Sequence, residues 1–298
     1  MKIYFNRRPV GGPWGGGSKV LSSIIQECTR RGHQVFFEEQ LSVVADLDLI
    51  FCIDPRQKES VGYRDLLDYK TKRKVKIVQR IGDLGTHGKP DLLNLIQATS
   101  VHSDVLIFPS HWAMKYMGTF EEKSIVISNA PLKYFVDNRK SSPIRENISV
   151  VSHHWSNNDM KGFDVYKKID EKDDIPFTFI GRIPDGMKLR NHVPPQDVQG
   201  LVKEIPKHDV YITASRKEAG ANHVLEAMAL GLPVLYHDDG GSIKEYCNGY
   251  GISYKTPEEA IDVLKNGRKD LEVLSKNVYS RTSDDMSKEY VDVLEEQL

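Results

Sequence analysis

Short runs of β-branched and aromatic residues recur along this chain, and amphipathic stretches of helical period separate most of them. That alternation restricts the fold more than any other feature. The first half reads strand KIYF, helix SKVLSSIIQECTRRG, and strands QVFFE, LDLIFCI and VKIVQRI. It goes on with helix DLLNLIQATSVH, strand DVLIF and helix HWAMKYMG. The second half opens with strand ISVVSHH, helix FDVYKKID, strand FTFIG, helix DVQGLVKEIP and strand DVYITA. Helix NHVLEAMALG, strand PVLYH, helix GSIKEYC, strand GISY and helix TPEEAIDVLKNG follow. The central strands are almost continuously apolar, as strands are when helices cover both faces of a parallel sheet. The expected class is therefore α/β, with two Rossmann-like βαβ domains.

The 298 residues suffice for two such domains. Charge divides along the same line: residues 1–140 carry 21 Lys/Arg against 15 Asp/Glu, and residues 141–298 carry 20 against 27. The polar, breaker-rich stretch Asp137–Asn147 is the expected linker. This gives an N-terminal domain over 1–140, a C-terminal domain over 141–280, and a terminal helix over 281–298. The apolar spacing Met286, Tyr290, Val293 and Leu294 suggests that this helix packs back on the first domain. A net charge of −1 speaks against nucleic acid as a partner. Met1–Phe5 is strand-like and no apolar run reaches 18 residues, so a cytoplasmic location is expected. Cys28, Cys52 and Cys247 are too scattered for a metal site and read as buried thiols. The basic run Lys70, Lys72, Arg73, Lys74 and Lys76 reads as a solvated face, with peripheral contact to an anionic membrane as the second reading.

Several motifs fail on inspection. Gly12 to Gly17 has P-loop glycine spacing, but Ser18 precedes Lys19 where a P-loop needs Lys and then Ser/Thr. Asp46 and Asp48 spell D-x-D ahead of a strand instead of after one, so capping is the expected role. Asp238 and Asp239 read as a strand-end turn. His153 and His154 are adjacent on a strand and must face opposite ways, which excludes a shared metal. No zinc-hydrolase, serine-hydrolase or dinucleotide fingerprint occurs.

The segment TASRKEAGANHVLEAMALGLPVLYHDDGGSIKEY carries the chemistry. A strand ends, Glu218, Ala219 and Gly220 form a short loop, and a helix starts near Ala221 or Asn222. The first-turn amides and the positive helix end suit a diphosphate. Glu218 precedes that helix and Glu226 lies one turn inside it, so both carboxylates can accept from sugar hydroxyls near one helix terminus. Taken alone, the pair reads as a helix-dipole partner and a solvated helix residue.

The E-x7-E spacing, with GGSIKE after it, resembles the nucleotide-sugar signature of glycosyltransferase family 4, whose fold is GT-B. GGGSKVLSSIIQECTRRGHQV, VISNAP, KGFDVYKKI and DDMSKEYVDVLEEQL resemble further segments of that family, in its order. The resemblance implies two domains facing across a cleft and a nucleotide-diphosphate sugar as co-substrate. It also implies retention of anomeric configuration and no essential metal or other cofactor. It assigns the donor sugar to Glu218, the ribose to Glu226 and the diphosphate to Lys161, with the amides of Gly220, Ala221 and Asn222 beside it. Gly16 and Gly17 of the glycine loop, and Asp83 with His87 as second choice, are expected to reach the donor from the first domain. The family's second diphosphate cation, an Arg, falls here within SHHWSNND; His153, His154, Trp155 or Arg182 is expected to replace it. The acceptor, whether saccharide, lipid or small molecule, is not specified. The alternatives sharing this architecture are a GT-B phosphorylase, a sugar-nucleotide epimerase and a non-catalytic nucleotide-sugar-binding protein.

Overall fold

The computed structural model describes residues 1–11, 16–37, 41, 43–44, 46–57, 61–118, 120–140 and 143–298. The chain forms two compact units. The first comprises Met1–Gly11, Gly16–Asn129 and Ser283–Leu298, and the second Ala130–Thr282.

The first unit runs β1 (Lys2–Phe5), α1 (Gly16–Arg30), β2 (Gln34–Phe37), β3 (Leu49–Cys52), α2 (Tyr63–Arg73) and β4 (Lys76–Arg80). It continues with α3 (Leu92–Ser100), β5 (Val105–Phe108), α4 (His111–Met117) and β6 (Ser124–Val126). All pairings are parallel, in the order β2-β1-β3-β4-β5-β6. Phe5 lies between Phe37 and Phe51 in register, and the three rings pack together. β1, β3 and β5 are nearly or fully buried along their length, which is why they read as unbroken apolar runs.

The second unit runs α5 (Lys133–Asp137), β7 (Val150–His154), α6 (Phe163–Asp170), β8 (Phe177–Gly181), β9 (His192–Val193) and α7 (Val198–Glu204). Then come β10 (Val210–Thr213), α8 (Asn222–Ala229), β11 (Val234–His237), α9 (Ser242–Tyr246), β12 (Gly251–Tyr254), α10 (Pro257–Asn266) and α11 (Arg268–Ser275). Its parallel order, β12-β11-β10-β7-β8-β9, reverses direction between β7 and β10. Ligands of open α/β sheets bind beyond the strand ends at such a reversal. Alternate residues enter cores on opposite faces: Val151, Tyr211 and Val234 pack with α8, whereas Val150, Val210, Ile212 and Leu235 pack with α6 and α10.

The last helix, α12 (Ser283–Glu295), returns to the first unit. Met286, Tyr290, Val293 and Leu294 are buried, as their spacing implied. Arg31, at the end of α1, reaches Asp292 and Glu295 at 2.7 and 2.8 Å, and the Tyr290 hydroxyl accepts from Arg80 at 3.0 Å.

The expected linker, Asp137–Asn147, begins inside the second unit, and the units divide instead after Asn129. Polar composition concealed its anchorage. Phe135 is buried in the second core, the Lys140 amide donates to the Leu230 carbonyl, and Arg139 Nη2 donates to the carbonyls of Ser275 and Asn277. The basic run belongs largely to α2, a helix missed in the sequence because only Tyr63 and Leu66 of it are buried. Lys70 pairs with Asp104 and Lys72 with Asp68. Asp48 accepts from the Lys2 amide at 2.7 Å, a capping contact at the edge of β1. All three cysteines are free and buried. Among the described residues, no helix is long and apolar enough to cross a membrane.

Candidate functional site

β7 and β10 end side by side where the second sheet reverses, and the groups that follow them converge. After β7 the chain makes one turn of 3-10 helix, Asp159–Lys161, and enters α6 through Gly162. Gly162 has φ 71°, and a Cβ there would lie 2.4 Å from the Ala214 carbonyl oxygen beyond β10. The Arg216 amide donates to the Met160 carbonyl at 2.9 Å, joining the two loops. The K-G pair is thus dictated by close backbone approach, which aims Lys161 at the loop after β10. Gly162→Ala is expected to destabilise the protein by at least 1–2 kcal/mol from backbone conformation alone. Urea unfolding measures this, and an unchanged midpoint would refute the close approach.

Lys161 Nζ donates to Glu218 Oε1 at 2.5 Å, and both side chains are largely buried. The Glu218 backbone is held from the other side. Its amide donates to the Gly240 carbonyl, its carbonyl accepts from the Ser242 amide, and it forms a parallel bridge with Gly241. Gly241 has φ 69°, and a Cβ there would fall 2.6 Å from the Glu218 carbonyl oxygen. The second Gly of GGSIKE is therefore the partner that lets the Glu218 loop lie flat on the next one.

α8 begins four residues later. Its first-turn amides have no partner within the helix, but Ala221 N–H points to Ser242 Oγ at 3.2 Å. The Asn222 side-chain oxygen is buried and accepts from no described group. One turn in, Glu226 is almost wholly buried, and its Oε2 lies 2.9 Å from His153 Nε2. A carboxylate of this kind is not the solvated helix residue that the spacing alone would permit.

The adjacent histidines diverge as strand geometry requires. His153 faces α8. Its backbone N–H donates to the Tyr211 hydroxyl, which donates in turn to the His153 carbonyl. His154 faces α6, with Nε2 at 2.6 Å from the Tyr166 hydroxyl, itself the acceptor for the Ala214 amide. His154, expected near the diphosphate, bonds Tyr166 and also lies beside the first turn of α8 through His223. His223 closes the group: its ring lies 4.7 Å from that of His154, and Nε2 is 3.0 Å from Thr213 Oγ1. Arg182 does not join Lys161 and Glu218. Its guanidinium stacks on the Trp155 ring, 3.9 Å from the centroid, just past β8.

Expected residues from the first unit stand as follows. Gly16 and Gly17 open α1, with Gly17 exposed; Gly12 to Gly15 lie outside the described residues. Asp83, in the loop after β4, accepts from the Gly85 amide at 2.9 Å and pairs with Lys89, which is turn-forming geometry.

Burial pushes His223 down to about 3 and His208 down to about 4. With folded values below the unfolded histidine value of about 6.5, the unfolded state binds more protons once the pH falls beneath that point. Stability is therefore full above pH ~6.5 and lost as pH falls toward 4, by up to ~1.4 kcal/mol per pH unit for each group. Urea unfolding from pH 7.5 to 4.5 is expected to show this slope, and His208→Asn to flatten it.

Residues 164–281 match the family model "Glycosyl transferases group 1". No curated protein matches the chain by sequence. Solved structures match along nearly its whole length. Sucrose-phosphate synthase from Thermosynechococcus elongatus aligns over 99% of this chain and 98% of its own, at TM-score 0.72 and 11% identity. The lipopolysaccharide outer core galactosyltransferase WaaB aligns over 100% of both chains, at 0.68 and 14%. The fold is GT-B. The pneumococcal O-GlcNAc transferase GtfA, solved with UDP and GlcNAc, aligns at 0.60 and 14% over 84% of this chain, which spans 56% of that one. Within the GT-B frame, the matched segment contains Glu218, α8 and Gly241; Lys161 and Gly162 lie just before it. Sequence reasoning treated His153 only as a substitute for a missing Arg. Its partnership with Glu226, 73 residues away, has no local signal.

Proposed function

We propose that this chain is a glycosyltransferase that moves a sugar from a nucleotide-diphosphate sugar to an acceptor, with retention of configuration and without a metal. One observation carries the reading: at the reversal point of a GT-B second sheet, Lys161 meets Glu218 ahead of α8, and Glu226 is held one turn inside it. The family-model match over 164–281 and the UDP and GlcNAc of one structural neighbour support it.

In this account Glu218 accepts from hydroxyls of the donor sugar and Glu226 from the ribose. An ionised carboxylate accepts two such bonds, and charge-assisted bonds are the stronger kind. As the sugar–phosphate bond breaks, the sugar gains oxocarbenium character and the diphosphate gains charge. Lys161 leaves Glu218 to meet that charge, together with the α8 amides. The acceptor attacks on the face the diphosphate leaves, and a phosphate oxygen takes its proton, so no separate base is required. The acceptor is a saccharide, lipid or small-molecule hydroxyl.

A thermal-shift panel of UDP-, GDP- and ADP-sugars tests the reading. Binding to the folded state alone, at a hundred times Kd, stabilises by about 2.7 kcal/mol. One nucleotide class is expected to raise the midpoint, and incubation with it and candidate acceptors is expected to yield a glycoside of unchanged anomeric configuration. No shift with any member at millimolar concentration would contradict the account. Free sugar phosphate or an epimer as sole product would transfer it to the phosphorylase or epimerase class.

A further inference from the structure

Glu226 presents a physical difficulty that points to a second residue. Its side chain is 4% exposed, on a helix whose Val224 and Leu225 belong to the same core as Tyr211. A carboxylate in such surroundings needs a donor to offset its desolvation. It also rotates easily, because the terminal torsion of Glu is broad and roughly two-fold. To meet a ribose in one geometry it has to be held.

One such donor is His153 Nε2, 2.9 Å from Oε2 and 9% exposed. A carboxylate only accepts, so the shared hydrogen sits on Nε2. His153 is well suited to hold it. It lies on β7, a central strand paired on both sides, and the Tyr211 hydroxyl bonds both its N–H and its C=O. The Tyr211 ring also meets the imidazole edge-on, at 5.4 Å between centroids. The other imidazole nitrogen, Nδ1, is buried and bonds no described group. Nε2 is therefore the nitrogen whose partner explains a polar ring here.

We propose that His153 is a positioning residue for nucleotide recognition: its Nε2–H fixes the Glu226 carboxylate in the orientation that meets the ribose hydroxyls. The inference rests on the reading of Glu226 as the ribose acceptor, and it adds a residue that touches no part of the donor. It separates the two histidines of the pair by strand parity. His153 serves the nucleotide through Glu226 of α8, while His154 is bonded to Tyr166 of α6.

The test is a discrimination ratio, not an affinity. Calorimetry is run with whichever of UDP, GDP and ADP binds, and with its 2′,3′-dideoxy counterpart. The variants are Glu226→Ala, His153→Phe, which keeps a ring without the N–H, and His153→Gln, whose amide reaches the same place. Should the Phe variant fail to fold, His153→Asn, polar but too short, replaces it. A role confined to packing lowers both affinities together and leaves the ratio unmoved. The wild type is expected to prefer the ribonucleotide by about tenfold or more, as for hydrogen bonds to a charged group. That preference is expected to vanish in Glu226→Ala and His153→Phe, and to return in His153→Gln. If Glu226→Ala loses it while His153→Phe keeps it, the positioning role is wrong and the ribose reading stands. If Glu226→Ala keeps it, the ribose reading fails, and the positioning role falls with it.

Discussion

Removing the Lys161 ammonium is expected to lower the rate of sugar transfer by roughly 10²–10³-fold, the usual loss for one oxyanion-stabilising donor. The choice of variant matters, because the proposed function gives Lys161 a second role beside its contact with Glu218. Without donor it neutralises Glu218 at 2.5 Å in a largely buried pair. Breaking such a pair from one side strands a carboxylate and costs about 3–5 kcal/mol of stability. Lys161→Met is therefore expected to unfold at lower denaturant and to transfer slowly. Pairing it with Glu218→Gln removes the stranded charge. The double variant should regain most of the stability and transfer more slowly than Glu218→Gln alone. Single-turnover kinetics beside urea unfolding separate the effects. If the double variant transferred as fast as Glu218→Gln alone, Lys161 would be a structural lysine only.

The second large effect is expected at Glu226. Its replacement by alanine should weaken binding of the bare nucleoside diphosphate by roughly 1.5–3 kcal/mol, about 10- to 150-fold in Kd. The buried site leaves His153 without its acceptor, so some loss of stability accompanies this. A Glu226→Gln variant keeps the shape and one acceptor oxygen, and is expected to fall between wild type and alanine. Isothermal calorimetry measures both. Wild-type affinity in Glu226→Ala would remove the ribose contact from the account.

What the sequence disclosed, and what it concealed, follows from the range of the interactions. The strands of the parallel sheets were legible because burial on both faces leaves no room for polar residues, as in LIFC of β3 and VYIT of β10. α2 was not, because a helix with two buried residues in eleven leaves little apolar stripe in the sequence. The loop carrying Glu218 was legible through the resemblance of its E-x7-E spacing, while the close backbone approaches that require Gly162 and Gly241 join segments far apart in sequence. Strand alternation showed that His153 and His154 diverge. Which of them meets α8 depends on the order β10-β7-β8, and no sequence pattern encodes that order. Arg182 shows the same limit: its position past β8 suggested a reach toward phosphate, while Trp155, one residue beyond the paired strand β7, offers a nearer partner.

The central claim is a division of labour between the two glutamates of the E-x7-E spacing. Calorimetry of the wild type, Glu218→Ala and Glu226→Ala tests it, each with the nucleoside diphosphate alone and with the complete sugar donor. Glu226→Ala is expected to lose affinity for both ligands. Glu218→Ala should keep its affinity for the nucleotide and lose only the increment added by the sugar, with transfer slowed further because its contact strengthens as charge develops. Equal loss of nucleotide affinity in both variants, or none in either, would contradict it.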